Sequence, residues 1–218
     1  MTVSADIDAV LWDFGGVLTS SPFDAFGRYE QEHGLPKDFI RTINATNPQT
    51  NAWAQFESSQ VDAQAFDSLF LAESTAAGHA VPGAEVLALL SGDLRPRVIA
   101  ALQACKEHFR VACITNNVKS GKGSGMARSE NKAARIAEVM ALFDLVVESS
   151  IEGVRKPEPG IYQIACERLG IDPARTIFLD DLGINLKPAR AMGMQTIKVI
   201  SEQQALEDLS ALTGLDLA

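Results

Sequence analysis

The sequence predicts an α/β protein: a doubly wound parallel sheet with a helical segment inserted after its first strand. Three observations predict it. From Pro96 onward, short apolar runs alternate with amphipathic helical periods, and such alternation builds parallel strands joined by right-handed crossovers. Residues Pro22 to Ala80 hold helical periods and no convincing strand. Three of the apolar runs stop on polar groups, as central strands do when their carboxyl ends face a ligand crevice.

The first strand is the apolar run Ala9 to Trp12, which ends on Asp13 and the pair Gly15-Gly16. Pro22 starts a helix with Phe23, Phe26 and Tyr29 at three-residue steps, and Gly34 closes it. A second helical piece spans Lys37 to Ile43 and is broken by Asn47-Pro48. Trp53, Phe56 and Glu57 mark a third, and Val61-Asp62 opens a fourth with Phe66, Leu69 and Phe70 on one face. Their aromatic faces read as the core of a helix bundle. Helices are then expected over Ala84–Leu90 and Pro96–Glu107, a strand over Val111–Ile114 ending on Thr115, and a helix reaching Ala141. Strands follow at Asp144–Val147, Thr176–Leu179 and Thr196–Ile200, with helices at Gly160–Leu169, Leu186–Met192 and Gln203–Leu212. The expected division is a core of residues 1–20 and 93–218, with the helical segment at 21–92.

The chain has 218 residues, 46% hydrophobic and 22% charged, the composition of an ordinary globular protein. Its formal charge of −9 argues against nucleic acid or an acidic membrane as partner. Cys105, Cys113 and Cys166 lack metal-ligand spacing and read as buried thiols in a reducing compartment. The polar, acidic start is no signal peptide, and no apolar run approaches membrane-spanning length, so the expected location is the cytoplasm. Gly121-Lys122-Gly123-Ser124-Gly125 lacks the spacing of a nucleotide-binding loop and reads as a surface loop.

The chemistry is expected where the strands end. Parallel strands carry Asp13, Thr115, Asp180 and Asp181 to one sheet edge, and Lys156 joins them from a loop. Carboxylates gathered there repel one another unless a cation joins them. An oxygen-only set suits Mg²⁺, and no His or Cys competes for Zn²⁺. Thr115, nearby backbone N–H groups and the Lys156 ammonium would hold phosphate oxygens. The arrangement asks for an anion beside Mg²⁺, with Asp13 as nucleophile forming an aspartyl-phosphate.

The ordered motifs Asp13-Phe14-Gly15-Gly16-Val17-Leu18, Thr115-Asn116-Asn117, Lys156-Pro157 and Phe178-Leu179-Asp180-Asp181 resemble those of the haloacid dehalogenase-like (HAD) hydrolases. The strings Gly153 to Pro157 and Phe178 to Gly193 most resemble the N-terminal phosphatase domain of soluble epoxide hydrolases, and also the related domain of some acyl-CoA dehydrogenase fusion proteins. The resemblance implies a Rossmann-like core with a helical cap. It implies Asp13 as nucleophile, Thr115, Asn116 and Lys156 toward a small phosphorylated substrate, and Asp13, the Gly15 carbonyl and Asp181 around Mg²⁺. Asn185 falls where many members carry a further carboxylate near the metal.

One position departs from the family. Its phosphatases usually carry a second Asp two residues after the nucleophile, where this chain has Gly15. That Asp protonates the leaving oxygen, and general acid–base help is worth ~10²–10⁴-fold. Alkyl phosphates are therefore expected to turn over slowly, with acyl and aryl phosphates suffering less. Asp180 is the nearest stand-in, although strand alternation argues against Asp180 and Asp181 both entering the site. Two other readings start from the same residues. One is a binding or interaction protein that kept the fold after losing turnover; the other is a 2-haloacid dehalogenase, which also uses an Asp nucleophile.

Overall fold

The computed structural model describes residues 4, 6–58, 60–117 and 130–218, with the backbone alone at 130 and 131. The glycine-rich stretch at 121–125 lies outside these residues. Five parallel strands form one sheet: β1 (Ala9–Trp12), β2 (Arg110–Thr115), β3 (Leu145–Glu148), β4 (Thr176–Asp180) and β5 (Gln195–Lys198), in the order β3-β2-β1-β4-β5. All four residues of β1 are buried, which is why its sequence is continuously apolar rather than alternating.

Side chains alternate across the sheet. Val10, Trp12, Val111, Cys113, Ile177 and Leu179 enter one layer of core, while Leu11, Ala112, Ile114 and Phe178 enter the other. Helices α6 (Pro96–Lys106), α7 (Glu130–Met140) and α11 (Glu202–Thr213) cover the first layer through Val98, Leu102, Ile136, Leu206 and Leu209. Helices α9 (Pro159–Leu169) and α10 (Gly183–Ala191) cover the second through Ile161, Tyr162, Leu186 and Ala189. The sheet is thus wound on both faces. The single turn α8 (Ser149–Glu152) was not expected, because four residues are too few to show a helical period.

Between β1 and α6 the chain forms α1 (Pro22–Glu32), α2 (Phe39–Ala45), α3 (Ala52–Glu57), α4 (Ala63–Ala76) and α5 (Gly83–Leu89). Their starts are written in the sequence. Ser21 accepts from Phe23 N with Pro22 in the first turn, Asn51 accepts from Ala54 N, and Asp62 accepts from Ala65 N. These helices share a cluster of their own, built on Phe26, Ile40, Phe56, Phe66 and Phe70. The segment leaves and rejoins the sheet side at one place, a bridge between Thr19 and Leu94 with Ser20 N donating to Asp93 O at 2.8 Å.

The three cysteines are free and buried. Among the described residues no helix is long and apolar enough to cross a membrane. Phe66 has no exposed surface and lies within 6 Å, centroid to centroid, of Trp53 (5.9 Å), Phe56 (4.8 Å) and Phe70 (5.6 Å). Truncating such a ring leaves a cavity that its neighbours only partly fill, so Phe66→Ala is expected to destabilise the protein by about 3–5 kcal/mol. Urea unfolding followed by tryptophan fluorescence measures it, because Trp53 packs on the ring.

Candidate active site

The register of the sheet assembles the site. Trp12 pairs with Leu179 on β4, so the next residues, Asp13 and Asp180, stand level on neighbouring strands. Asp13 N donates to Leu179 O at 2.8 Å, which continues the ladder one step past the end of β1. The chain then makes one wide turn over Phe14–Leu18, closed by Thr19 N to Phe14 O. The two glycines of this turn have different reasons to be there. Gly16 has φ of 77°, and a Cβ on it would lie 2.2 Å from Asp181 Oδ2. Only glycine fits there. Gly15 has φ −69° and ψ 130°, an ordinary conformation, and a Cβ on it would meet nothing within 4 Å.

Lys156 is the centre of the polar edge. Its side chain is 1% exposed, and Nζ lies 2.7 Å from Asp13 Oδ1 and 2.7 Å from Asp180 Oδ2. Asn116 holds the Lys156 backbone at both ends: Asn116 Nδ2 donates to Lys156 O at 3.0 Å, and Lys156 N donates to Asn116 Oδ1 at 2.9 Å. Asn116 also lines the pocket described below, so its amide both positions Lys156 and borders the cavity.

Asp180 has no exposed surface. Besides Lys156, Asn185 Nδ2 donates to both its oxygens at 3.0 and 3.1 Å, and Leu182 N donates to Oδ1 at 2.8 Å. Asp180, the nearest stand-in for an acid or base, thus has both oxygens engaged by Lys156, Asn185 and Leu182 N. Asn185 in turn faces Asp180 and gives its carbonyl to Tyr162 Oη at 2.7 Å, so it braces the Lys156–Asp180 pair. Asp181 lies one residue beyond the strand, where alternation no longer applies. Oxygens of Asp13, Asp180 and Asp181 lie within 4.8 Å of one another, and Ser21 Oγ reaches Asp181 Oδ2 at 3.5 Å.

Electrostatics follow from this crowding. Burial alone would discharge Lys156, but the carboxylates of Asp13 and Asp180 reverse that and hold the ammonium charged. Burial pushes Asp13 well above the ordinary carboxylate range; Lys156 opposes this, and Asp180 and Asp181 add to it. Asp181 is pushed up to about 6, first by burial and then by Asp180, against the pull of Lys156. Among the described residues, one ammonium faces three carboxylates at this edge, more than the single cation can neutralise.

A pocket of about 540 Å³ opens over this edge. Asp13, Gly15, Thr115, Lys156 and Asp181 lie at its sheet side, and Phe23, Phe26, Trp53, Phe56 and Glu57 of the inserted helices form the opposite wall. Phe26 and Phe56 therefore serve both the helix cluster and the pocket. Arg155, next to Lys156, forms an ion pair with Glu57 of α3 across the gap between the two parts. Nothing in the sequence pairs residues 98 positions apart, and this contact was not foreseen. The histidines His33, His79 and His108 are not on the wall.

Removing the charge of Asp180 leaves Lys156 with one buried counter-ion. Breaking such a group typically costs about 3–5 kcal/mol, and the remaining Asp13 contact places Asp180→Asn near the lower end. Equilibrium denaturant unfolding tests this; a variant as stable as the parent would show that the buried pair adds nothing.

Comparison with known proteins agrees with this architecture. The family model described as haloacid dehalogenase-like hydrolase matches residues 7–193. The mouse protein Bifunctional epoxide hydrolase 2 is 32% identical over 217 residues, covering 93% of this chain but 38% of that protein. Phosphatase MT3486 of Mycobacterium tuberculosis (strain CDC 1551 / Oshkosh) is 28% identical over 232 residues, with 96% of each chain covered. A HAD family enzyme of Bacteroides thetaiotaomicron, solved with magnesium and inorganic phosphate, superposes with a TM-score of 0.56 at 21% identity, over 88% of this chain and 93% of that one. With a parallel sheet in order β3-β2-β1-β4-β5, its strand-end carboxylates and a family match over most of its length, this chain belongs to the haloacid dehalogenase-like hydrolases.

Proposed function

We propose that the chain is a Mg²⁺-dependent phosphatase of small phosphate esters, working through an aspartyl-phosphate on Asp13, with residues 21–92 as a cap over the site. The observation that carries this reading is the placement of Asp13 at the pocket floor between a buried ammonium and a second carboxylate. Lys156 Nζ and Phe14 N both bond Asp13 Oδ1 at 2.7 Å. That fixes the carboxylate and leaves Oδ2 to attack phosphorus. Thr115, buried at the end of β2 and on the pocket wall, and Lys156 would receive phosphate oxygens.

The residues fit a divalent cation. The donors are all oxygen, and Asp181 is pushed up to about 6, first by burial and then by Asp180, a shift that a bound cation would reverse. Asp13, Asp181 and the Gly15 carbonyl would hold Mg²⁺, while Asp180 is spent on Lys156. When bound, Mg²⁺ supplies charge neutralisation of the phosphoryl oxygens. Halide displacement by Asp13 alone would leave Asp181, a second carboxylate on the pocket wall, without a role, so phosphate chemistry is the better reading.

The organic part of the substrate is constrained by the wall. Phe23, Phe26, Trp53 and Phe56 on one side and Leu182 and Ile184 on the other suit an apolar or aromatic body. Buried free thiols suit a cytoplasmic setting.

Phosphate release from nitrophenyl phosphate should require Mg²⁺ and fall at least about 10³-fold in Asp13→Asn. Undiminished release in that variant removes Asp13 as nucleophile. A second expectation concerns the metal alone. The folded, metal-free protein takes a proton on Asp181 near pH 6, above the pH at which the unfolded chain does, so this group favours folding increasingly as pH falls from neutrality through about 6 toward the unfolded value. Mg²⁺ needs the ionised carboxylate, so it should raise Tm more at about pH 7.5 than at about pH 5. Asp181→Asn should lose most of that shift, as scanning calorimetry would read.

A further inference from the structure

We propose that Glu57, on helix α3 of the inserted segment, carries the proton chemistry for which position 15 offers no side chain. This rests on the phosphatase reading above. The first argument is elimination. Three carboxylates stand on the pocket wall among the described residues: Asp13, Glu57 and Asp181. Asp13 is the attacking group, Asp181 sits against Gly16 at the metal side, and Asp180 is sealed beneath Lys156. Glu57 is left.

The second argument is direction. Phosphoryl transfer proceeds in line, so the leaving oxygen departs on the face of phosphorus opposite the nucleophile. Asp13 attacks from the sheet edge, and the leaving oxygen therefore points to the wall formed by the inserted helices, where Glu57 lies. At Gly15 the intervening space is open: a Cβ there would meet nothing within 4 Å.

The third argument is positioning. Arg155 of the core grips the Glu57 carboxylate, and Arg155 is bonded in sequence to Lys156, which touches Asp13. Glu57 is thus tied to the catalytic frame as well as to its own helix. The groups facing it are Arg155, the more distant Lys156 and the Trp53 side chain, which donates to it. Burial outweighs all three and raises the Glu57 carboxyl above its ordinary value, so it holds a proton nearer to neutral pH than an exposed glutamate does.

The step balances as follows. Asp13 Oδ2 forms a bond to phosphorus while the ester P–O bond breaks. The electron pair of that bond goes to the leaving oxygen, which takes a proton from Glu57 and departs as the alcohol. Water then attacks phosphorus from the vacated position and gives a proton to Glu57. The P–O bond to Asp13 breaks with its electrons returning to the carboxylate, and inorganic phosphate leaves. The proton that Glu57 gives up in the first half is restored to it in the second.

Nitrophenyl and nitrobenzyl phosphate test this, because their bodies are similar and only the first leaves well without a proton. Glu57→Gln keeps an acceptor for Arg155 but cannot deliver the proton. The ratio of kcat/KM for the nitrobenzyl ester to that for the nitrophenyl ester should fall by about 10²-fold or more relative to the parent. The variant should also release nitrophenol in a burst stoichiometric with protein, because the aspartyl-phosphate then waits for unassisted water; the burst also counts folded sites. An unchanged ratio overturns the role of Glu57 and leaves it a tether for Arg155. A parent protein that releases phosphate from neither ester overturns the phosphatase reading itself, and this assignment with it.

Discussion

The site depends on one buried ammonium. Taking Lys156 out of water costs several kcal/mol, and only close, well-bonded counter-charges offset it. Two carboxylates at 2.7 Å do so, and they can because β1 and β4 are neighbours in a register that sets Asp13 level with Asp180. Shifting either strand by one residue would turn one carboxylate to the other face and strand the charge. The requirements of Lys156 spread outward. Asn116 fixes its backbone, Asn185 and Leu182 N satisfy Asp180, and Tyr162 secures Asn185. Residues on three strands or the loops that follow them are thereby fixed by one cation.

The same crowding bears on how an acidic protein would present the proposed site for phosphate. The chain carries −9 overall, and its pocket floor adds more carboxylates than the ammonium neutralises. Burial first, and that excess second, raise Asp13 and Asp181, which works against folding at neutral pH. The divalent cation proposed for this site would relieve it and reverse the local field. Gly16 is part of this arrangement, since it lets the backbone of the first turn pass where a methyl group would strike the Asp181 carboxylate.

Much of this was legible in the sequence because it is local or periodic. The run Ala9 to Trp12 announced a buried strand, and the strand ends announced where Asp13, Thr115 and Asp181 gather. What the sequence could not show was the direction of side chains at those ends. Strand alternation argued against Asp180 and Asp181 both entering the site, but it took the structure to show that Asp180 closes β4 and bonds the lysine while Asp181 lies past the strand and lines the pocket. Asn116 and Asn185 likewise match motif positions, and their amides brace neighbours. The helix aromatics had a second face that periodicity along one helix cannot reveal, because the pocket wall is assembled from several helices against a loop near residue 155.

Gly15 marks the limit of reading a motif position by position. As sequence it is half of a glycine pair, and the turn accounts for both. In the structure the turn needs only Gly16; the backbone at Gly15 is ordinary and the space above it empty. The absence of a side chain there is therefore not forced by packing, and its meaning has to come from what occupies the opposite side. The inserted helices leave the chain at Thr19, directly after that turn, and return at Leu94 beside it, so they close over the very position left bare. If Asp13 is the nucleophile, as proposed, it faces outward from the sheet, and in-line geometry sends the leaving group toward those helices. A carboxyl on the helices is then better placed to meet the leaving oxygen than one beside the nucleophile on the sheet, and the ion pair to Arg155 is what lets a residue on a separate helical layer share the positional precision of the sheet edge.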